Sequence, residues 1–160
     1  MIEWVVNSSP IIVLSRLGFL ERLDAILPQF LVPSGVMAEI NAGPTGNPAT
    51  AWIGGLGTSR MVNVSAISPA IAGWDLGRGE SEVLTWSCEH KECGAILDDY
   101  AARKCAVSLG IPLCGTLGLL ILAKRRGVID QISPVLDELP RVGFWIHESL
   151  VAEAKRLTGE

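Results

Sequence analysis

No apolar run in this sequence approaches the roughly 18 residues that a membrane-spanning helix needs. The longest, residues 117–123, runs straight into Lys124-Arg125-Arg126. The N-terminus lacks the basic start and cleavage pattern of a secretory leader, so a cytoplasmic location is expected. Cysteine is sparse, and Cys88, Cys93, Cys105 and Cys114 form no C-x₂-C pair. They read as free thiols rather than a disulfide framework. The stretch from Cys88 through His90 to Cys93 offers zinc-type side chains, but Cys88 and His90, two apart on a helix, diverge by about 200°. A phosphate loop is missing as well, since Gly77-Arg78-Gly79-Glu80 has no following Lys-Ser/Thr. His90 and His147 accompany no Ser or Cys nucleophile pattern. Nor is there a basic excess: 13 Lys and Arg against 17 Asp and Glu leave a net charge of −4. That balance does not announce a nucleic-acid binder, although Arg78, Arg103-Lys104 and Lys124-Arg125-Arg126 concentrate what positive charge exists.

What is present is apolar character. Hydrophobic residues make up 49% of the chain and the mean hydropathy is +0.38, so most elements should be buried on more than one side. A length of 160 residues suits one core and one domain spanning the whole chain. Short apolar runs predict strands over 2–6, 30–32, 61–64, 93–97 and 111–114. Helical spacing predicts helices over 8–17, 19–27, 79–90, 99–109, 117–126, 132–139 and 148–157, with another opened by Pro33-Ser34 and carrying Glu39. Ser8-Ser9-Pro10 supplies a hydroxyl N-cap with proline in the first turn, and Gly127 closes the helix before it. Residues 41–50 and 65–77 read as loops and 52–56 as a helical turn. Strands alternating with helices predict an α/β sandwich with a mostly parallel sheet.

Asn7, Glu39, Glu80, Asp98 and Asp99 stand where strands end or helices begin. A strand that exits into a carboxylate delivers it to the carboxyl edge of an open α/β sheet, where such folds place ligands. Carboxylates gathered there repel one another unless a hard divalent cation lies between them, and Mg²⁺ and Mn²⁺ prefer such oxygen ligands. The pattern points to metal-dependent phosphate chemistry. Each residue also has a plain structural role: Asn7 as a cap, Glu39 as a solvated helix residue, Glu80 as a first-turn carboxylate favoured by the helix dipole. Asp98-Asp99 can be a strand exit plus N-cap, and Thr116 an N-cap. Trp4, Trp52, Trp74, Trp86 and Trp145 read as core or dimer-interface residues, with stacking on single-stranded bases as the alternative.

Five segments in order carry a resemblance: Val5-Val6-Asn7-Ser8-Ser9-Pro10, Val32-Pro33-Ser34-Gly35-Val36-Met37-Ala38-Glu39, Gly79-Glu80-Ser81-Glu82-Val83-Leu84, Leu97-Asp98-Asp99-Tyr100-Ala101-Ala102-Arg103 and Gly115-Thr116-Leu117-Gly118. Together they resemble the PIN-domain superfamily, closest to its prokaryotic branch of short predicted nucleic-acid-binding proteins, over nearly the whole chain. The resemblance implies a three-layer α/β/α fold and an acidic, Mg²⁺- or Mn²⁺-dependent centre hydrolysing RNA, as in the toxins of toxin–antitoxin pairs. It assigns catalysis to Glu39, Glu80 and Asp98, metal binding to Asn7, Glu80, Asp98 and Asp99, and substrate contact to Ser8, Arg103 and Thr116. Implied partners are RNA, an antitoxin protein and a second copy of the chain. The active nucleases of the superfamily carry Asp where this chain has Asn7, a neutral ligand that holds an ion less tightly. A non-catalytic module of the same fold and a small nucleotide-binding or phosphotransfer domain are the competing readings.

Overall fold

The computed structural model describes residues 1–160. Five short strands, β1 (Glu3–Val6), β2 (Phe30–Pro33), β3 (Met61–Val62), β4 (Cys93–Ile96) and β5 (Leu113–Cys114), form one sheet in the order β3-β2-β1-β4-β5. Every pairing is parallel. β1 and β4 are the central neighbours, with Val5 opposite Ala95 and Val6 opposite Ile96. They are apolar because both faces of a parallel sheet are covered: Val5, Val6, Ala95 and Ile96 are all fully buried.

Ten α-helices complete the fold: α1 (Ser8–Leu17), α2 (Leu23–Ile26), α3 (Ser34–Asn41), α4 (Pro48–Gly54), α5 (Pro69–Ala72), α6 (Arg78–Glu89), α7 (Tyr100–Ser108), α8 (Thr116–Arg125), α9 (Ser133–Glu138) and α10 (Glu148–Thr158). From β1 the chain steps outward to β2 and β3, then returns to the other side of β1 as β4 and β5. Right-handed crossovers therefore put the early helices on one face and α6 and α7 on the other. Helix α1 packs with α3, α4 and α8, whereas α6 packs with α5 and α7 and also against α3, joining the two groups. One cluster of 35 buried apolar residues runs through the layers. The reversal of direction between β1 and β4 opens the crevice where open α/β sheets bind ligands, at their carboxyl ends. No helix is long and apolar enough to cross a membrane.

Several local expectations are corrected. Asn7, not Ser8, holds the N-cap position of α1, and its side chain makes no capping bond. Gly115 caps α8, with Thr116 as the first helical residue. The loop expected over 41–50 ends early, because the Asn47 side chain accepts from Ala49 N–H at 3.0 Å and Pro48 opens α4. α4 is fixed by Trp52 stacking on Phe30, with ring centroids 6.0 Å apart. The loop expected over 65–77 contains α5, a single turn held because Ile71 is fully buried. The helix expected over 19–27 is a 3₁₀ turn, Leu20–Arg22, followed by α2. Trp145 and Trp74 are not core residues: they are 78% and 37% exposed. All four cysteines are free.

The C-terminal segment is tied down electrostatically. The Glu160 carboxylate accepts from the backbone N–H of Ile132 at 2.7 Å and of Ser133 at 3.1 Å, with Lys124 Nζ at 3.7 Å. The Ile132 bond leads in holding its pKa down, from the ordinary 4.5 to about 2. A depressed folded-state pKa contributes stability that is whole above pH 4.5 and fades as pH falls toward 2. Thermal melts should show Glu160→Gln less stable than wild type at pH 7, with the gap closing across that acidic window. A gap that stays constant with pH would remove the carboxylate from the account.

Candidate active site

Three consecutive residues at the β1–α1 junction each donate to a different carboxylate. Asn7 Nδ2 reaches Glu80 Oε1 at 3.3 Å, Ser8 Oγ reaches Glu39 Oε2 at 3.0 Å, and Ser9 Oγ reaches Asp98 Oδ2 at 3.1 Å. Strand exit and helix start together produce this fan. Asn7 extends the ladder, its backbone N–H donating to Ile96 O at 3.1 Å. The chain then turns into α1, where successive side chains point in different directions.

Asn7 is 1% exposed, and its Oδ1 is buried without any donor. The opposite amide orientation is no remedy, because it would set the carbonyl oxygen against the Glu80 carboxylate. A buried acceptor left unmade costs about 1–3 kcal/mol, so this oxygen needs an explanation. Its surroundings supply one. A Cβ on Gly79 would stand 2.8 Å from Asn7 Oδ1 and 2.5 Å from Glu39 Oε2, and one on Gly77 would stand 2.5 Å from Glu80 Oε2. Gly79 thus makes room for Asn7 Oδ1, from the β1–α1 junction, and Glu39 Oε2, from α3, to approach one spot, and Gly77 makes room for Glu80 Oε2 beside it. Gly79 N–H also donates to Glu39 Oε1 at 2.7 Å, which fixes the direction of that carboxylate. Glu80 lies in the first turn of α6, where the helix dipole favours a negative charge.

Asp98 stands apart. Its Oδ1 accepts from Thr116 N–H at 2.8 Å, and its Oδ2 accepts from Thr116 Oγ1 at 2.6 Å as well as from Ser9. It is linked to the other acids only through the Asn7-Ser8-Ser9 fan, and no three Asp, Glu, His or Cys side chains lie close enough to hold an ion by themselves. Asp99 turns to its own helix, accepting from Ala102 N–H at 2.9 Å as the N-cap of α7. Thr116 is fully buried and serves Asp98. Ser8 spends its hydroxyl on Glu39. Arg103 Nη1 donates to Leu97 O at 2.8 Å and would be 2.8 Å from a Cβ on Gly115, so that glycine makes room for the guanidinium. Nearby Cys114 is no nucleophile: burial, ahead of its other neighbours, pushes its thiol up to about 11. Asn7 thus stands between Glu80, which its amide nitrogen holds, and Glu39, which it meets at Gly79, with Asp98 linked through Ser9 and Asp99 turned away to cap α7.

One supporting residue escapes sequence reasoning. Glu82 is only 3% exposed. It accepts from Gly35 N–H at 3.2 Å, Ser34 Oγ at 3.3 Å and Arg78 Nε at 2.8 Å. It caps the first turn of α3 from α6, locking together the helices that carry Glu39 and Glu80. A Cβ on Gly35 would collide with it at 1.8 Å. The available signal was an acid flanked by the apolar face Val83-Leu84. Glu82→Ala leaves these donors without an acceptor and should cost about 2–3 kcal/mol in denaturant unfolding, while Glu82→Gln retains part of the bonding and should cost less. Equal stability of wild type and Glu82→Ala would refute the locking role.

Comparison with known proteins adds the family. The family model described as DUF3368, PIN domain, matches residues 3–160. No curated protein and no solved structure shows significant similarity. The match covers nearly the whole chain, and the parallel α/β sandwich with its acids at the carboxyl edge is the architecture that family leads one to expect. The chain belongs to the PIN domain family.

Proposed function

We propose that this PIN domain is a divalent-metal-dependent endoribonuclease that hydrolyses RNA phosphodiesters at the carboxyl edge of its sheet. The observation that carries the reading is the buried, donorless Asn7 Oδ1, which crowds Gly79 together with Glu39 Oε2 while the amide nitrogen of the same side chain holds Glu80. The donor set is all oxygen, which suits Mg²⁺ or Mn²⁺ and not a soft metal. Asn7, Glu39 and Glu80 would hold the ion, with Asp98 as the neighbouring carboxylate. When bound, such an ion lowers the pKa of a water and offsets charge on phosphate oxygens.

The chain's own groups do the orienting. Ser8 and Gly79 N–H fix Glu39, Asn7 fixes one oxygen of Glu80, and Thr116 with Ser9 fixes Asp98. A carboxylate held in one orientation costs no reorganisation when a substrate phosphate arrives. Each donor also lowers the mutual repulsion of the acids while no cation is bound. Asp98 accepts three hydrogen bonds and keeps its charge for a water or a ribose hydroxyl on the substrate side. Asp99 contributes to this reading only by capping α7.

A second reading, a nucleic-acid-binding module without hydrolysis, draws on the neutral Asn7 and on the absence of a cluster of three ionisable ligands. A toxin role, with an antitoxin protein covering the site, is a finer version of the first. Its support is the resemblance alone, and a co-expressed partner encoded beside the gene would test it.

Purified protein should cleave mixed single-stranded RNA with Mn²⁺ or Mg²⁺ and not in EDTA. Glu80→Ala and Asp98→Ala should each lose about 100-fold or more in rate. Cleavage unaffected by both substitutions would overturn the assignment, and RNA binding without cleavage would favour the second reading.

Asn7→Asp separates an ion site from a structural amide. It sets a second carboxylate against Glu80, 3.3 Å from where Nδ2 now donates. Metal-free protein should therefore melt lower than wild type. With Mn²⁺ the repulsion becomes attraction, so the metal-induced rise in Tm should exceed that of wild type. Equal rises in both forms would mean that no ion meets residue 7.

A further inference from the structure

A groove of about 540 Å³ starts at the acidic edge and runs between α8 and α10. Its volume lies in the range of roughly 300–1,000 Å³ typical of small-molecule sites. Asp98 and Arg103 line it beside the candidate centre, Leu117 and Ile121 come from α8, Leu150 comes from α10, and Trp145 comes from the connection before α10. The groove therefore adjoins the candidate site at Asp98.

The chemistry of its lining is specific. Trp145 is 78% exposed although it is the largest side chain of its segment. Its neighbours explain how it is presented. Phe144 and Ile146 pack against the core. Gly143 takes a left-handed φ of +83°, and Arg16 Nη1 donates to Val142 O at 2.9 Å. On the other side His147 caps α10, accepting from Ser149 N–H at 3.2 Å. The indole is thus held out by a segment anchored at both ends, at a cost in exposed apolar surface that nothing within the chain offsets. Charge is arranged asymmetrically. Glu153, also in the lining, is neutralised by Arg156, whose Nε donates to it at 2.8 Å. Arg103 forms no ion pair with any carboxylate, and only its Nη1 is engaged, with Leu97 O. A guanidinium with one nitrogen bonded and no ion pair, an outward indole and an apolar floor next to phosphate-type chemistry describe one ligand: a nucleotide whose base is unpaired.

We propose that this groove is a subsite for an unpaired nucleotide of the RNA strand, with Trp145 stacking on the base and Arg103 meeting a phosphate. The inference deepens the ribonuclease reading, resting on it only for the placement of the neighbouring phosphate at the carboxylates. A base in a duplex has no free face to offer Trp145, so the subsite selects single strands.

The test is fluorescence anisotropy of a labelled single-stranded hexaribonucleotide and of its duplex form, titrated with full-length protein in EDTA so that no hydrolysis intervenes. Trp145→Ala should bind the single strand about tenfold more weakly, the loss expected for one stacked base. Trp145→Phe should recover most of the affinity, and the duplex should bind wild type and Trp145→Ala alike. Trp145 is exposed, so thermal melts should confirm that the variants fold. Unchanged single-strand affinity in Trp145→Ala overturns the subsite while leaving the ribonuclease reading intact. A change from dimer to monomer in sedimentation, with RNA affinity unaltered, also overturns it and assigns the groove to a second copy of the chain. Wild type that binds no RNA overturns subsite and ribonuclease together. Wild type that binds but never cleaves, with binding lost in Trp145→Ala, keeps the subsite and sinks only the hydrolysis.

Discussion

Like charges at one sheet edge must be paired with donors or with a cation, and in this chain the pairing begins at three adjacent residues. Asn7, Ser8 and Ser9 give one hydrogen bond each to Glu80, Glu39 and Asp98. Much else in the molecule follows from that arrangement. Gly77 and Gly79 have no side chains because carboxylate and amide oxygens occupy the space a Cβ would take. Glu82 is buried against the start of α3 because Glu39 and Glu80 keep their relation only if their two helices are locked. The order β3-β2-β1-β4-β5 matters because it makes β1 and β4 neighbours, which sets Asn7 beside the end of β4 and so beside Asp98.

The donor fan satisfies each carboxylate in part and Asn7 not at all on its oxygen side. A polar network with one buried member unpaired is costlier than a complete one. The deficit falls on an acceptor, and acceptors are completed by N–H, O–H or a cation. No protein donor lies within reach of Asn7 Oδ1. That makes Asn7 more than a weakened copy of an aspartate: its amide nitrogen stabilises Glu80 while its carbonyl oxygen stays free, a division of labour a carboxylate cannot perform.

Much of this was legible in the sequence. The strand exits after Val6 and Leu97 and the helix starts near Ser34 and Gly79 follow from apolar periodicity and capping residues, and they place Asn7, Glu39, Glu80 and Asp98 at one edge. What periodicity cannot supply is side-chain direction after a turn. Asp98 and Asp99 are adjacent in sequence, yet one accepts from Thr116 and the other from its own helix. Ser8 and Thr116 looked like caps because hydroxyls at helix starts usually are, whereas here the neighbouring acids compete for them. Glu82 was hidden because burial of a charge depends on Gly35 and Ser34, 47 and 48 residues away. The first turn of α4 and all of α5 were masked by glycine and proline; α4 is held by its Asn47 cap, buried Ala49 and Ile53 and the stacked Trp52, and α5 by buried Ile71. Trp145 was read with the other tryptophans as core or dimer-interface; its outward placement depends on Phe144 and Ile146 packing against the core on either side.

The central claim is that the unpartnered oxygen of Asn7 is a ligand position. Anomalous diffraction from crystals soaked in Mn²⁺ tests it most directly. A manganese peak is expected within bonding distance of Asn7 Oδ1, with Glu39 or Glu80 as a further ligand. A peak confined to Asp98 and Asp99, or no peak at saturating Mn²⁺ with Asn7 Oδ1 hydrogen-bonded to a water instead, would contradict it.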